Sequence, residues 1–316
     1  MKLFPALAFC FGVEFASEEV WKEYNSVTAS IDRGDVSTLP MLHIRSCCLK
    51  VIVSSCSAEF VDILRRACGG HGFMMSSCFP KLYGQTTAAC TYEGDNTVLL
   101  LQVARGILKP SFKWSKPVTG SLFIPAEKKV NLASVPGIFT TVARNRVEAC
   151  QIELDQLQKS GLSTDAAWNS MGMRLIAAAE SYGRQVVMDS FVAKLFTASV
   201  SPEILRVLKS LCRLLATSWI RRYSGEFITY GGLTAVDIQL IDECLEAELK
   251  EIRPNAVGIV DAFDFRDEIL NSALGCYDGN VYERLLETAK KSPLNKKDVP
   301  DAFEKYLKPL MMQSKL

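Results

Sequence analysis

One carboxylate in this sequence has the surroundings of a general base. Glu93 lies between Tyr92 and Gly94, directly before residues that typically start a helix. The positive end of a helix dipole would favour the carboxylate anion, while the aromatic ring and the apolar run 98–101 would desolvate it and make it a better proton acceptor. Gly94 would let a ligand approach closely. Taken alone, however, Tyr-Glu-Gly is explained more simply as a solvated glutamate in a capping segment.

A second candidate element is rich in glycine. Gly69, Gly70, His71 and Gly72 lie about twenty residues upstream of Glu93. A glycine pair allows backbone N–H groups to approach phosphate oxygens, and His71 would offer a further hydrogen bond. The element follows a helical segment and not a strand, so it is neither a Rossmann nor a Walker motif, and helix termination also explains it.

The composition excludes several classes of function. The chain has 316 residues, 48% of them hydrophobic and 22% charged, which is enough for one large or two medium folded domains. A net charge of +1 gives no reason to expect a nucleic-acid partner. The 11 cysteines form no Cys-x-x-Cys pair and there are only two histidines, so we expect no metal site.

Both ends of the sequence carry possible targeting signals. The apolar run 3–13 resembles a short signal peptide, but we favour a buried helix, and no stretch is long enough to predict a membrane span. Ser314, Lys315 and Leu316 form a peroxisomal address, which predicts a peroxisomal location and binding to a peroxisomal import receptor.

The hydrophobic pattern is helical nearly throughout. We predict a helix 18–30 capped by Ser17, a long helix from about 38 to Cys68, a loop over 71–95, and a helix capped by Asn96 or Thr97 that runs to about Leu108. Further helices are predicted at 138–160, 165–197, 202–224, 234–252, 255–273 and 281–291, with caps at Ser163 and Thr234 and a capping box between Asn280 and Glu283.

The predicted fold is therefore all-α, with two packed helical bundles. Residues 1–109 would form a helical domain that carries the candidate carboxylate. Residues 110–137, with their prolines and glycines, would connect it to a C-terminal helical domain at 138–316.

Several blocks of sequence, in order, resemble the peroxisomal acyl-CoA oxidases. They are Ala67-Cys68-Gly69-Gly70-His71-Gly72-Phe73, then Cys90-Thr91-Tyr92-Glu93-Gly94-Asp95-Asn96-Thr97-Val98, and finally Asp261-Ala262-Phe263-Asp264-Phe265 with Tyr277-Asp278-Gly279-Asn280-Val281-Tyr282. The resemblance extends over essentially the whole chain. It outweighs the simpler explanations that each motif has in isolation.

The resemblance implies an FAD enzyme of peroxisomal fatty acid β-oxidation. In this family a glutamate removes the α-proton of an acyl-CoA thioester while a hydride leaves the β-carbon for the flavin. The product is a trans-2-enoyl-CoA, and O2 reoxidises the flavin to give hydrogen peroxide.

The resemblance also assigns roles to particular residues. Glu93 matches the catalytic base and Gly94 a position at the substrate. Asp95, Asn96 and Thr97 match a segment that contacts the flavin. The segment that contains Arg66, Gly69 and Gly70 matches one that reaches the FAD of a neighbouring subunit, so a homodimer is expected.

The resemblance is confined to the C-terminal helical portion of the family. An N-terminal helical domain, a β-domain and an upstream flavin-contacting arginine have no counterpart in this sequence, so we expect a truncated form of the oxidase. The alternative is a non-catalytic helical partner that dimerises with a full-length acyl-CoA oxidase.

Overall fold

Long amphipathic helices make up most of the chain. The computed structural model describes residues 1–115 and 120–314, so Lys315 and Leu316 of the predicted peroxisomal signal lie outside the described residues. The first half contains helices α1 (Phe4–Ile31), α2 (Leu39–Ala67), α3 (Phe79–Ala88) and α4 (Asn96–Ile107), with 3-10 turns at Gly69–Phe73 and Met75–Ser77. A two-stranded antiparallel hairpin follows, formed by β1 (Phe123–Ile124) and β2 (Lys129–Val130).

The second half is again helical. Its helices are α5 (Val135–Lys159), α6 (Thr164–Ser170), α7 (Gly172–Thr197), α8 (Pro202–Arg222), α9 (Ser224–Gly231), α10 (Ala235–Ile252), α11 (Ala256–Asp261), α12 (Asp267–Leu270), α13 (Val281–Lys291) and α14 (Lys308–Gln313). The predicted all-α class with packed helical bundles is confirmed.

Two of the predicted helix caps, at Ser163 and Thr234, are confirmed. Ser163 accepts a hydrogen bond from the N–H of Ala166, and Thr234 forms a capping box with Asp237. The predicted box at Asn280 is wrong, because the Asn280 side chain makes no capping hydrogen bond to α13. Ser17 is not a cap either, since it lies within α1, where residues 4–16, apolar except for Glu14, supply a buried face.

The predicted loop 71–95 is wrong over much of its length. Pro80 occupies the first turn of α3, where proline needs no hydrogen-bonded N–H, so it begins a helix instead of breaking one. The predicted helix 255–273 is also wrong in the middle. Asp264 and Asn271 have φ values of 51° and 45°, and these left-handed residues separate α11 from α12 and end α12.

The chain divides into two compact units. The larger contains Met1–Ile63 and Gln85–Phe263, and the smaller contains Leu64–Gly84 and Asp264–Leu316. The domain division expected from the sequence, at 1–109, 110–137 and 138–316, stays a prediction.

Within the larger unit, α7 contributes to two hydrophobic clusters. Met188 and Phe191 belong to a cluster shared with α1, α5 and α8, whereas Leu175 and Tyr182 belong to one shared with α2, α4 and α5. α7 therefore has apolar residues on much of its circumference, as expected of a helix at the centre of a bundle.

A partly buried ionic network joins α7 to its neighbours. Arg184 is 4% exposed and donates to Glu226 Oε2 at 2.5 Å, while Arg146 donates to Glu226 Oε1 at 2.8 Å. The hydroxyl of Ser181 also donates to Glu226 Oε2, at 3.0 Å. The three donors bind the carboxylate of α9 to α5 and α7 and compensate for its burial.

In the smaller unit, the two chain segments are joined by backbone hydrogen bonding. The N–H of Ala273 donates to the carbonyl of Ser76 at 2.8 Å. Gly72 lies directly against the carbonyl of Arg65, where a Cβ would overlap the backbone. Only glycine therefore fits at position 72, so chain packing explains this glycine without a ligand.

The packing of α2 against α7 predicts the effect of Gly183→Ala. An alanine Cβ at this position would lie 2.6 Å from Ile52 Cγ1, close to the stiff end of a β-branched side chain. We expect a loss of roughly 1–3 kcal/mol in the free energy of unfolding, measured by urea denaturation. Gly258→Ala is the matched control, because a Cβ there meets nothing within 4 Å. Equal stability of the two variants would contradict close α2–α7 packing.

Candidate functional site

The segment between α3 and α4 turns sharply at Glu93. Glu93 and Gly94 have φ values of 56° and 107°, so two consecutive residues are left-handed. The N–H of Asn96 donates to the carbonyl of Cys90 at 3.1 Å and closes the turn. A left-handed glutamate is unfavourable for an L-residue, and such strain persists only where the surroundings fix it.

Gly94 is required by this turn for two local reasons. Its φ value favours glycine, and a Cβ at this position would lie 3.0 Å from Cδ2 of the buried Leu99. The space beside Gly94 is therefore partly filled by α4 itself.

The helix that follows is capped by Asp95. Its Oδ1 accepts hydrogen bonds from the N–H groups of Thr97 at 2.9 Å and Val98 at 3.4 Å. The expectation that Asn96 or Thr97 caps the helix is therefore wrong, because Asp95 is the residue with an extended ψ of 136° and a side chain that reaches back over the first turn. With Asn96 bonded to Cys90, the first three N–H groups of α4 are occupied within the protein.

The side chain of Asn96 is held by residues of α2. Its Oδ1 accepts from Lys50 Nζ at 2.8 Å, and its Nδ2 donates to the hydroxyls of Ser54 at 3.0 Å and Ser55 at 2.8 Å. Lys50 Nζ also donates to the carbonyl of Gly94 at 2.6 Å. Sequence reasoning missed Lys50 and Ser54. The available signal was a lysine placed between Leu49 and Val51, both of which are buried.

Glu93 itself is exposed, and Tyr92 is 50% exposed. The expected desolvation of Glu93 by its neighbours is therefore wrong for this chain. Leu99 and Leu100 enter the core of the larger unit instead, while the turn carries Glu93 outward. The turn, which hydrogen bonds from Lys50 hold to α2, therefore places the carboxylate at the surface.

The other predicted site residues lie in the smaller unit. Arg66, Gly69, Gly70 and His71 are exposed, and Gly69 has a φ of 60°. A Cβ on Gly69 or Gly70 would meet nothing within 4 Å, so the backbone there is open to a ligand.

Two general findings bear on other classes of site. Within residues 1–115 and 120–314, no cluster of three or more histidine, cysteine, aspartate or glutamate side chains is arranged to hold a metal ion. None of the helices in the described part of the chain has the length and apolarity needed to cross a membrane.

A polar cleft of about 250 Å³ lies elsewhere in the larger unit, beside α7. Asp189 Oδ2 accepts there from Gln185 Nε2 at 3.2 Å and from the hydroxyl of Ser115 at 3.3 Å. Burial raises the pKa of Asp189 to about 6, against the opposing effect of these two hydrogen bonds.

Two family models match this chain, and together they cover most of its length. The family model described as acyl-CoA oxidase matches residues 131–312, and the one described as acyl-CoA oxidase, C-alpha1 domain, matches residues 1–108. These matches together cover most of the chain, and the chain belongs to the acyl-CoA oxidase family.

Individual relatives agree with this assignment. Acyl-coenzyme A oxidase 1 of Drosophila melanogaster is 40% identical, over 98% of this chain and 48% of the relative. Peroxisomal acyl-coenzyme A oxidase 1 of Rattus norvegicus is 36% identical, over 100% of this chain and 50% of the relative. The chain thus spans about half the length of the curated relatives it matches.

Solved structures show the same fold. Arabidopsis thaliana acyl-CoA oxidase 1 superposes with a TM-score of 0.90 at 32% identity, over 99% of this chain and 50% of that one. Acyl-CoA oxidase-1 of Caenorhabditis elegans, solved in complex with FAD and ATP, superposes with a TM-score of 0.92 at 29% identity, over the same shares of the two chains.

The cap of α4 gives a stability prediction. Asp95→Ala removes the acceptor for two N–H groups, so we expect a loss of about 1 kcal/mol in the free energy of unfolding, measured by urea denaturation. Asp95→Asn keeps a good capping oxygen and should retain most of that stability. If both variants lose the same amount, the side chain does not act as the cap.

Asp189 gives a prediction about pH. Because the pKa of Asp189 is raised in the folded protein, the unfolded chain loses this proton at a lower pH than the folded one. The free energy of unfolding therefore falls between about pH 4 and pH 6, by on the order of 2–3 kcal/mol. Asp189→Asn should therefore gain stability relative to the wild type at pH 7 but much less at pH 4, in urea denaturation at the two pH values. The same difference at both values would contradict the raised pKa.

Proposed function

We propose that this chain carries the catalytic base of an acyl-CoA oxidase, which converts an acyl-CoA and O2 into a trans-2-enoyl-CoA and hydrogen peroxide. The observation that carries the proposal is the anchored, strained turn at Glu93 in a chain of this family. Backbone strain that neighbouring groups maintain is typical of functional sites.

Glu93 would remove the α-proton of the acyl-CoA thioester. A carboxylate on a left-handed turn projects from the protein instead of packing along a helix, which leaves it accessible to substrate. The backbone of Gly94 would lie next to the thioester, although Leu99 fills part of the space that a side chain at this position would take. Abstraction by a positioned carboxylate is general-base catalysis, whose contribution is typically about 10²- to 10⁴-fold.

FAD, when bound, supplies the acceptor for the hydride from the β-carbon and passes the electrons to O2. The exposed residues fit such a group in their donor chemistry. Arg66 offers a cation, Gly69 and Gly70 an open backbone, and the exposed Thr97 a hydroxyl. Asp95 and Asn96 would contribute indirectly, because their side chains are occupied in the cap and in the bonds to α2, where they would support the backbone of the segment that contacts the flavin.

The assembly and location follow from the same proposal. If Arg66, Gly69 and Gly70 serve the flavin of a neighbouring subunit, the active protein is a homodimer. A peroxisomal location is supported by relatives named peroxisomal, while the import receptor as partner rests on the sequence Ser314-Lys315-Leu316. The substrate class, acyl-CoA thioesters, is supported by the name of the family.

The base assignment is tested by Glu93→Gln in the native protein loaded with FAD. We expect peroxide formation from acyl-CoA to fall by about 10²- to 10⁴-fold, because the amide cannot accept the α-proton, while flavin absorbance is retained. Glu246→Gln makes the same chemical change at an exposed helical position and should keep full activity.

Other outcomes would decide against the proposal. Substantial activity of Glu93→Gln would exclude Glu93 as the base. A colourless wild-type protein that forms no peroxide, but dimerises with a longer acyl-CoA oxidase, would instead support a non-catalytic partner.

A further inference from the structure

The conformation of Glu93 requires support from outside its own segment. Glu93 at φ 56° and Gly94 at φ 107° form a left-handed pair between two helices. An unsupported turn of this kind would relax, because a left-handed conformation is unfavourable for a glutamate. Part of the support is local, from the Asn96–Cys90 hydrogen bond and from the cap at Asp95.

Lys50 of α2 supports the turn from another helix, together with Ser54 and Ser55. Its ammonium donates to the carbonyl of Gly94 at 2.6 Å and to Oδ1 of Asn96 at 2.8 Å. These two acceptors lie immediately after Glu93 and at the first residue of α4. One cation on α2 therefore fixes the turn on both sides of Asp95.

The character of the two bonds makes Lys50 hard to replace. Lys50 is half-buried, and its two acceptors are neutral oxygens. Both bonds are charge-assisted because the donor is an ammonium cation. Ser54 and Ser55 hold the amide group of Asn96, whose Nδ2 donates to both hydroxyls, and the Ser54 hydroxyl also donates to its Oδ1 at 3.2 Å. Their bonds orient Asn96 so that its oxygen faces Lys50, but they leave the Gly94 carbonyl to the lysine.

We propose that Lys50 is a positioning residue for the reaction, which holds the backbone of Glu93 in the conformation from which the carboxylate meets the α-carbon of the substrate. This inference rests on the proposed function, since it takes Glu93 as the base. Because Lys50 acts on the base through the backbone, its loss should affect proton abstraction and leave substrate binding unchanged.

The kinetic test compares three variants in the native protein loaded with FAD. Lys50→Met keeps the aliphatic length but removes the charge and the donors, and should lower kcat by roughly 10- to 100-fold with KM and flavin content unchanged. Lys50→Arg still offers donors to both oxygens and should recover a large part of kcat. Lys159→Met, at an exposed helix end, should behave as the wild type.

A second measurement reports on the turn directly. Hydrogen exchange at the amides of residues 93–98 should become faster in Lys50→Met than in the wild type, and not in Lys159→Met. Faster exchange together with a fall in kcat at constant KM supports the proposal. Unchanged kcat, or a joint loss of kcat, substrate binding and flavin, overturns it, because Lys50 would then be dispensable or only generally structural.

The two proposals fail in different ways. If Glu93→Gln remains active, the base assignment is wrong, and the action of Lys50 on the turn is decided by hydrogen exchange alone. If Glu93→Gln is inactive while Lys50→Met keeps full kcat, the base assignment stands and the positioning role is excluded.

Discussion

The site depends on the close approach of α2 to α7. Ile52 packs against Gly183, where the absence of a side chain lets the two helices come together. Lys50 lies half a turn before Ile52 on the same helix, so the packing that buries Ile52 also sets the position of the ammonium beneath the Glu93 turn. A core contact and a surface carboxylate are thereby connected through one rigid helix.

In the proposed function, the exposure of Glu93 means that the described residues do not by themselves exclude water from the base. Proton abstraction next to a thioester is most effective where water is excluded, and the described residues leave this carboxylate open to solvent. The chain spans about half the length of its curated relatives. In the proposed function, this chain therefore supplies the base and its rigid support, and further surface supplies the dry environment.

Local sequence patterns predicted most of the helices and two of the caps, because helix periodicity and capping depend on residues a few positions apart. Ser163 and Thr234 illustrate this, since each bonds within its own first turn. Local sequence patterns give a wrong prediction at Pro80, which they place in a loop, and at Asp95, which they do not identify as the cap of α4. A proline is compatible with either a loop or a first helical turn, and several polar residues in a row compete for one cap position.

The sequence by itself determined the family and the identity of the candidate base, because both are carried by contiguous blocks around Gly69 and Glu93. Only the tertiary structure decided how that base is held. Lys50 is 44 residues away from Gly94 in the chain, and no local pattern links the two. The tertiary structure also decided that Glu93 faces solvent, since its burial depends on which surfaces meet in three dimensions and not on the apolar residues that follow it in sequence.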